Sequence, residues 1–209
     1  MRPHRRATVA DSLRQRIISG DFAPGTRLSE ESLAKAENVS RNTLREAFRV
    51  LQEQRLVDHL PNRGVFVASP RRSDVADIYR VRRWIETRAL ATATVDHPQI
   101  DAMRLAVLDA ESALRRGDWQ AVGTANMVFH AAIVALADSP RLIRLFRDLS
   151  AELRLAFLEL KSPEDLHGPF VPRNRALLAT FEADGGSAAA AELDAYLADS
   201  LAYLLTTLG

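Results

Sequence analysis

The chain has no cysteine among its 209 residues. That removes disulfide frameworks, thiolate zinc sites, iron–sulfur clusters and cysteine nucleophiles together. Lysine is nearly missing as well: Lys35 and Lys161 are the only two, so arginine supplies almost all the positive charge. No uncharged apolar run approaches the ~20 residues that a membrane helix needs. The opening Met1-Arg2-Pro3-His4-Arg5-Arg6 leads into an amphipathic segment rather than an apolar one, so a secretory signal is not expected. These absences imply a soluble cytoplasmic protein with no membrane partner. There is also no Gly-rich phosphate loop, no Gly-x-Ser-x-Gly elbow and no paired-carboxylate or His-rich site, so an enzyme is not expected.

What is present fits a folded chain of one large or two small domains, with 47% hydrophobic and 26% charged residues. The formal net charge is +1, which on its own argues against nucleic acid as a partner. Dividing the chain after Pro70 reverses that impression. Residues 1–70 hold twelve basic and eight acidic side chains, a balance of +4, and the remainder balances at −3. Such asymmetry points to a nucleic-acid-binding part. The pattern changes at the same place: short helical segments, turns and β-branched runs give way to Ala- and Leu-rich helices from Asp74. Between them lies Ala68-Ser69-Pro70-Arg71-Arg72-Ser73, composed like an inter-domain linker.

In the first part, Val9, Leu13 and Ile17 fall four apart and predict a core-facing helical stripe ending at Gly20. Asp21-Phe22-Ala23-Pro24-Gly25 reads as a turn. Ser29 is placed to cap a short helix carrying Leu33 and Ala34 inward, and Asn38 can take the left-handed turn conformation. Ser40 then caps a second helix, to about Gln54, with Leu44, Ala47, Phe48 and Leu51 on its apolar face. Arg41, Arg45 and Arg49 lie at i, i+4 and i+8 on the other side, with Asn42 and Thr43 near the N-terminus. Helix, short turn and basic helix make a helix-turn-helix, whose second helix enters the major groove. There Arg can read guanine bidentately and Asn adenine, or the same groups can hold phosphates. The competing reading is a solvated face with Arg41, Arg45 and Arg49 paired to Glu46 and Glu53. Leu56–Leu60 and Val65–Val67 predict a two-stranded hairpin around Pro61-Asn62-Arg63-Gly64, a wing whose tip reaches the minor groove or a phosphate.

These residues resemble a known family. Asp11-Ser12-Leu13, Ile17-Ile18-Ser19-Gly20-Asp21, Pro24-Gly25-Thr26-Arg27-Leu28-Ser29-Glu30 and Leu33-Ala34 look like the winged helix of GntR-type transcriptional regulators. So do Val39-Ser40-Arg41, Leu44-Arg45-Glu46-Ala47, Leu51, Gly64 and Val65-Phe66-Val67. The likeness covers nearly all of residues 8–68. The family often has Ser-Arg-Thr-Pro in the recognition helix, whereas this chain has Ser40-Arg41-Asn42-Thr43, a departure that should alter base preference rather than binding. The resemblance implies DNA contacts from Ser40, Arg41, Asn42, Thr43, Arg45, Asn62, Arg63 and Gly64. The arginine stripe adds Arg49.

From Asp74 onward, helices are expected over 74–95, 99–116, 119–137, 140–160, 173–184 and 187–208, with Val75, Ile78, Val81 and Ile85 inward on the first. The separators are Pro98, Gly117, Pro140, Pro163 to Pro172 and Gly185-Gly186. With no strand signal, this part is an all-α bundle, an architecture that builds ligand sites from polar residues on facing helices. The order of helices, with Asp74-Val75, Tyr79-Arg80-Val81-Arg82 and Glu86, resembles the FCD effector domain of the FadR subfamily. Members often hold a divalent metal through an Asp-x-x-x-His pair and two later histidines. Here the matching positions read Asn126, His130, Asn174 and Tyr196. One imidazole, two amides and a phenol make a poor set for zinc or a similar ion, so no cofactor is expected.

Three readings of Asn126, His130, Asn174 and Tyr196 stay open: a weak metal site, a metal-free pocket for a small organic ligand such as a carboxylate, or a satisfied core network. The second is favoured, because neutral hydrogen-bonding groups plus a titratable His can orient a carboxylate. Arg82 adds charge to such a pocket, unless it simply pairs with Glu86. The expected protein is thus mainly α. A winged helix-turn-helix with a small β-hairpin wing occupies 1–70, and an all-α, FCD-like effector-binding and dimerisation domain occupies 71–209. It would act as a transcription regulator, and as a repressor in particular, binding a palindromic operator in double-stranded DNA as a homodimer and answering to a small molecule. The rival is a non-sensing DNA binder whose helical part is only a dimerisation scaffold.

Overall fold

A computed structural model describes residues 3–208. The elements in chain order are α1 (Pro3–Ser19), β1 (Arg27–Leu28), α2 (Glu30–Ala36), α3 (Arg41–Glu53), β2 (Val57–Leu60), β3 (Gly64–Val67) and α4 (Arg72–Thr92). They continue with α5 (Ile100–Arg115), α6 (Trp119–Ala135), α7 (Pro140–Leu158), α8 (Pro163–His167), α9 (Phe170–Asp184) and α10 (Gly186–Thr207). The chain forms two compact units: residues 1–71 with 151–159, and residues 72–150 with 160–209. The sequence-based division at 70/71 put all of 151–159 in the second part, whereas that segment belongs to the first compact unit, with Ala151 and Leu155 in its core.

The first unit follows from its caps and its apolar stripes. Ser29 Oγ accepts from Ser32 N at 3.3 Å and starts α2; Ser40 Oγ accepts from Thr43 N at 3.1 Å and starts α3. Between the two helices Asn38 sits at φ 51°, the left-handed turn that lets α3 leave at an angle. Leu13, Ile17, Leu44 and Leu51 are fully buried, so the stripes of α1 and α3 meet in one core with Leu56, Val57, Val65 and Val67 from the sheet. Ala151 and Leu155 of α7 complete that core, and Leu158 packs against it. Arg154 Nε donates to the Ile18 carbonyl at 3.2 Å and Ser69 donates to Glu159, tying the segment down.

The expected two-stranded wing is a three-stranded antiparallel sheet in the order β1-β3-β2. Arg27 pairs with Phe66 and Leu28 with Val65, while His59 pairs with Val65 and Leu60 with Gly64. Two residues cannot display strand alternation, so β1 carries no periodic signal of its own. Asn62 (φ 60°) and Gly64 (φ 102°) supply the positive-φ positions of the tight tip.

In the second unit, α4 packs along α10, and α5 and α6 form an antiparallel pair joined at Gly117, with Asp118 capping α6 by accepting from Ala121 N at 3.0 Å. The close approach of α10 to α4 demands glycine: a Cβ on Gly186 would lie 2.2 Å from the Leu90 carbonyl oxygen. The inward face of α4 differs from the expected stripe. Val75 and Ile78 are buried, but Val81 and Ile85 are only partly so, and the face continues through Tyr79, Arg82, Glu86, Ala89 and Leu90. Two charged residues at inward positions hide that face from any apolar count. The spacer from Pro163 to Pro172 holds the short helix α8, and helix α9 begins there at Phe170. Arg72 and Ser73, read as linker, already belong to α4.

Candidate functional site

Two sites emerge, one in each unit. In the first, the Ser40 cap exposes the start of α3, so that Ser40, Arg41 and Asn42 face outward and Thr43 is half-buried, its hydroxyl 2.9 Å from Ser40 Oγ. Leu44, Ala47, Phe48 and Leu51 anchor the opposite face. Arg45 and Arg49 remain largely exposed, with side chains 63% and 72% accessible. Each arginine of the stripe leans on a carboxylate: Arg41 lies 3.8 Å from Glu31, Arg45 Nε donates to Glu30 at 2.9 Å, and Arg49 donates to Glu46 at 2.8 Å. Pairing to Glu46 was foreseeable, but Glu30 and Glu31 come from α2. Exposed pairs of this kind are weak, so they aim the guanidiniums without consuming them. Asn62 and Arg63 are exposed at the sheet tip, with Gly64 half-buried and the Arg63 guanidinium 5.8 Å from the centre of the Phe66 ring. A basic helix face and a basic hairpin tip stand in one unit.

In the second unit, the structure brings Arg82, Asn126, His130, Asn174 and Tyr196 together, around Glu86, to which sequence reasoning assigned no site role beyond pairing with Arg82. Glu86 is completely buried on α4 and accepts from Arg82 Nε at 2.6 Å and from His130 Nδ1 at 2.6 Å. The chain of contacts runs on from His130. Its Nε2 lies 3.3 Å from Tyr196 OH, Tyr196 OH is 3.0 Å from Asn126 Oδ1, and Asn174 Nδ2 donates to that same oxygen at 2.7 Å. The single phenol proton serves either Asn126 or His130, not both. Asn174 Oδ1 is buried with no partner. Tyr79, whose OH lies 2.7 Å from Ser200 Oγ, and Arg173, stacked over Phe170 and Tyr196, close the cluster.

Burial and charge pairing together set the protonation of these groups. Burial raises the pKa of Glu86, but Arg82 and His130 outweigh it and hold the carboxyl below the usual range. Burial, aided by Arg82, pushes His130 down against the pull of Glu86, so His130 is neutral with its proton on Nδ1. Burial also raises both Tyr196 and Tyr79. The residues do not fit a divalent metal. Each Glu86 oxygen is already engaged, one by Arg82 and the other by His130, and Asn126 Oδ1 accepts from Asn174 Nδ2. Among the described residues no group of three His, Asp or Glu converges. The signals that pointed to Glu86 were its i+4 spacing from Arg82 and its place, with Tyr79, in the family-like stretch of α4; nothing in the sequence assigned a site role to Tyr79, Ser200 or Arg173.

A winged helix-turn-helix in the same chain as an all-α unit is the architecture of two-domain, DNA-binding regulators. Residues 5–67 match the family model described as bacterial regulatory proteins, gntR family, and residues 77–199 match the FCD domain. The chain belongs to the GntR family of bacterial transcriptional regulators and carries an FCD domain; its relatives are regulators, not enzymes. It is similar to the crystal structure of a putative transcriptional regulator GntR from Rhodococcus sp. RHA1. That likeness has 37% identity and a TM-score of 0.94, over 99% of this chain and 100% of that one. It is 30% identical to the HTH-type transcriptional repressor GlaR of Escherichia coli (strain K12), over 80% of this chain and 82% of the repressor. It is 31% identical to the gluconate operon transcriptional repressor of Bacillus licheniformis over 68% of this chain, a match that spans only 58% of that repressor. No helix among the described residues is long and apolar enough to cross a membrane.

Proposed function

We propose that this chain is a cytoplasmic, sequence-specific transcription repressor. It binds a palindromic operator as a homodimer through α3 and the β2–β3 tip, and it is modulated by a small organic ligand in the helical unit. The observation that carries the DNA reading is the exposed row Arg41, Arg45 and Arg49 on a capped helix, in one unit with the basic tip Asn62-Arg63-Gly64. In this reading Ser40, Arg41, Asn42, Thr43, Arg45 and Arg49 meet the major groove and its phosphates, and the tip meets the minor groove. Dimerisation is supported by Leu105 and Leu108 on α5 and Val128 on α6, exposed apolar residues on adjacent helices that a second copy would cover.

The ligand reading is supported by the FCD match and by the orphaned Asn174 Oδ1 beside Asn126, His130, Tyr196 and Arg82. A carboxylate ligand would have to compete with Glu86 for Arg82 and His130. That internal carboxylate is also the observation favouring the second reading, a non-sensing regulator whose cluster only stabilises the dimerisation scaffold. Two measurements test the proposal. Arg45→Ala should weaken binding to a duplex selected from a random pool, lower the slope of log affinity against log salt by about 0.9 and leave the dimer intact; unchanged affinity removes Arg45 from the reading surface. A thermal-shift screen of small carboxylates and polyols should show saturable stabilisation by one chemical class. No stabilisation by any class favours the scaffold.

A further inference from the structure

Between α3 and the sheet lies a cleft of about 380 Å³ lined by Glu30, Arg45, Phe48, Arg49, Gln52, Val57, His59 and Val65. Its two walls are built by simple periodicity. Arg45, Phe48, Arg49 and Gln52 stand at i, i+3, i+4 and i+7, one face of α3. Val57 and His59 alternate onto one face of β2, and Val65 opposes His59 across the ladder. Phe48, Val57 and Val65 are buried and make an apolar floor; Gln52 and His59 are exposed at the rim beside the two arginines. The one carboxylate in the lining, Glu30, is engaged by Arg45 Nε. Arg45 and Arg49 therefore keep the rest of their N–H donors, and Gln52 and His59 add further N–H donors.

DNA geometry says what belongs there. A helix in the major groove and a hairpin tip in the adjoining minor groove are separated by one sugar-phosphate strand. That strand must cross the gap between α3 and the sheet. We propose that this cleft seats a backbone phosphate of the duplex, with Gln52 and His59 as DNA-contacting residues that donate to it alongside Arg45 and Arg49. The inference rests on the DNA-binding reading above and adds to it two residues that no motif singles out. Because the contact is to phosphate, it sets register and affinity but carries no base preference.

The test uses the full-length chain and a duplex enriched by it from a random pool. Phosphates of that duplex are replaced one at a time by neutral methylphosphonates, against wild type and the Gln52→Ala/His59→Ala double variant. In wild type, one position per half-site, at the border of the two grooves, should cost at least about tenfold in affinity. The double variant should bind every duplex more weakly by about the same factor, whatever its sequence. In that variant the same replacement should cost clearly less than in wild type, the remainder being the share of Arg45 and Arg49, and the difference is the signature of a coupled pair. His59→Gln, which keeps an N–H donor, should retain most of the affinity. Both residues are exposed, and an unchanged melting temperature checks that the fold survives. If the variant binds like wild type, or the replacement costs it as much as wild type, the cleft is a solvent gap and the proposal fails while DNA binding stands. If no duplex is enriched, the DNA reading fails with it.

Discussion

Glu86→Gln isolates the buried charge at the centre of the helical unit. In the wild type, one carboxylate oxygen meets Arg82 Nε at 2.6 Å and the other meets His130 Nδ1 at 2.6 Å, with the Arg82 and Glu86 side chains 6% and 0% exposed. The amide keeps the shape but removes the negative charge, so the Arg82 guanidinium stays buried with no counter-ion. Breaking a buried pair from one side costs about 3–5 kcal/mol. For a chain of this size each kcal/mol moves the melting temperature by roughly 2–4 °C, so a fall of about 6–20 °C is expected. The paired replacement Arg82→Met with Glu86→Leu removes both charges at similar volume, and should recover most of that loss. Thermal unfolding followed by circular dichroism at pH 7 reads both variants. A loss below about 1 kcal/mol for Glu86→Gln, or a double variant less stable than the single, would refute the view that Glu86 is an ionised counter-charge.

Acidification should weaken the helical unit in two stages, because both titrating groups are held below their ordinary values. His130 contributes stability that is present above its unfolded pKa of about 6.5 and is lost as pH falls below it; Glu86 does the same below about 4.3. The melting temperature measured from pH 8 to pH 4 should therefore drop first near pH 6, and His130→Gln should flatten that first step; an unaltered profile would remove His130 as its source. Gly186→Ala should destabilise by about 1–3 kcal/mol, since its Cβ would meet backbone, the Leu90 carbonyl, at 2.2 Å. A denaturant midpoint equal to wild type would mean that α10 can slide away from α4 without cost.

The winged unit was legible because its signals are local. Ser29, Ser40 and Asn38 act within a turn of where they stand, and the stripes of α1 and α3 are apolar enough to count. β1 escaped because pairing with β3 is a long-range event that two residues cannot announce. The α4 face escaped for the opposite reason: Arg82 and Glu86 are buried only because each satisfies the other. The residues of the second site were found through family resemblance; Glu86 shared in that resemblance, but its role as their common carboxylate did not show, since a Glu four residues from an Arg reads equally well as a surface pair. Trp84 carries a related lesson, being 77% exposed on the same helix despite its size.

The segment Ala151–Glu159 has a consequence for synthesis. A ribosome delivers α1, α2, α3 and the sheet within the first third of the chain, yet Ala151, Leu155 and Leu158, which complete that core, emerge only after some eighty further residues. Domains generally fold as they leave the ribosome. Here the last pieces of the first unit's core arrive only after most of the helical unit has been made. Cutting the chain after residue 71 would leave that core without Ala151, Leu155 and Leu158, and a fragment so made should be less stable than its neat sequence boundary suggests.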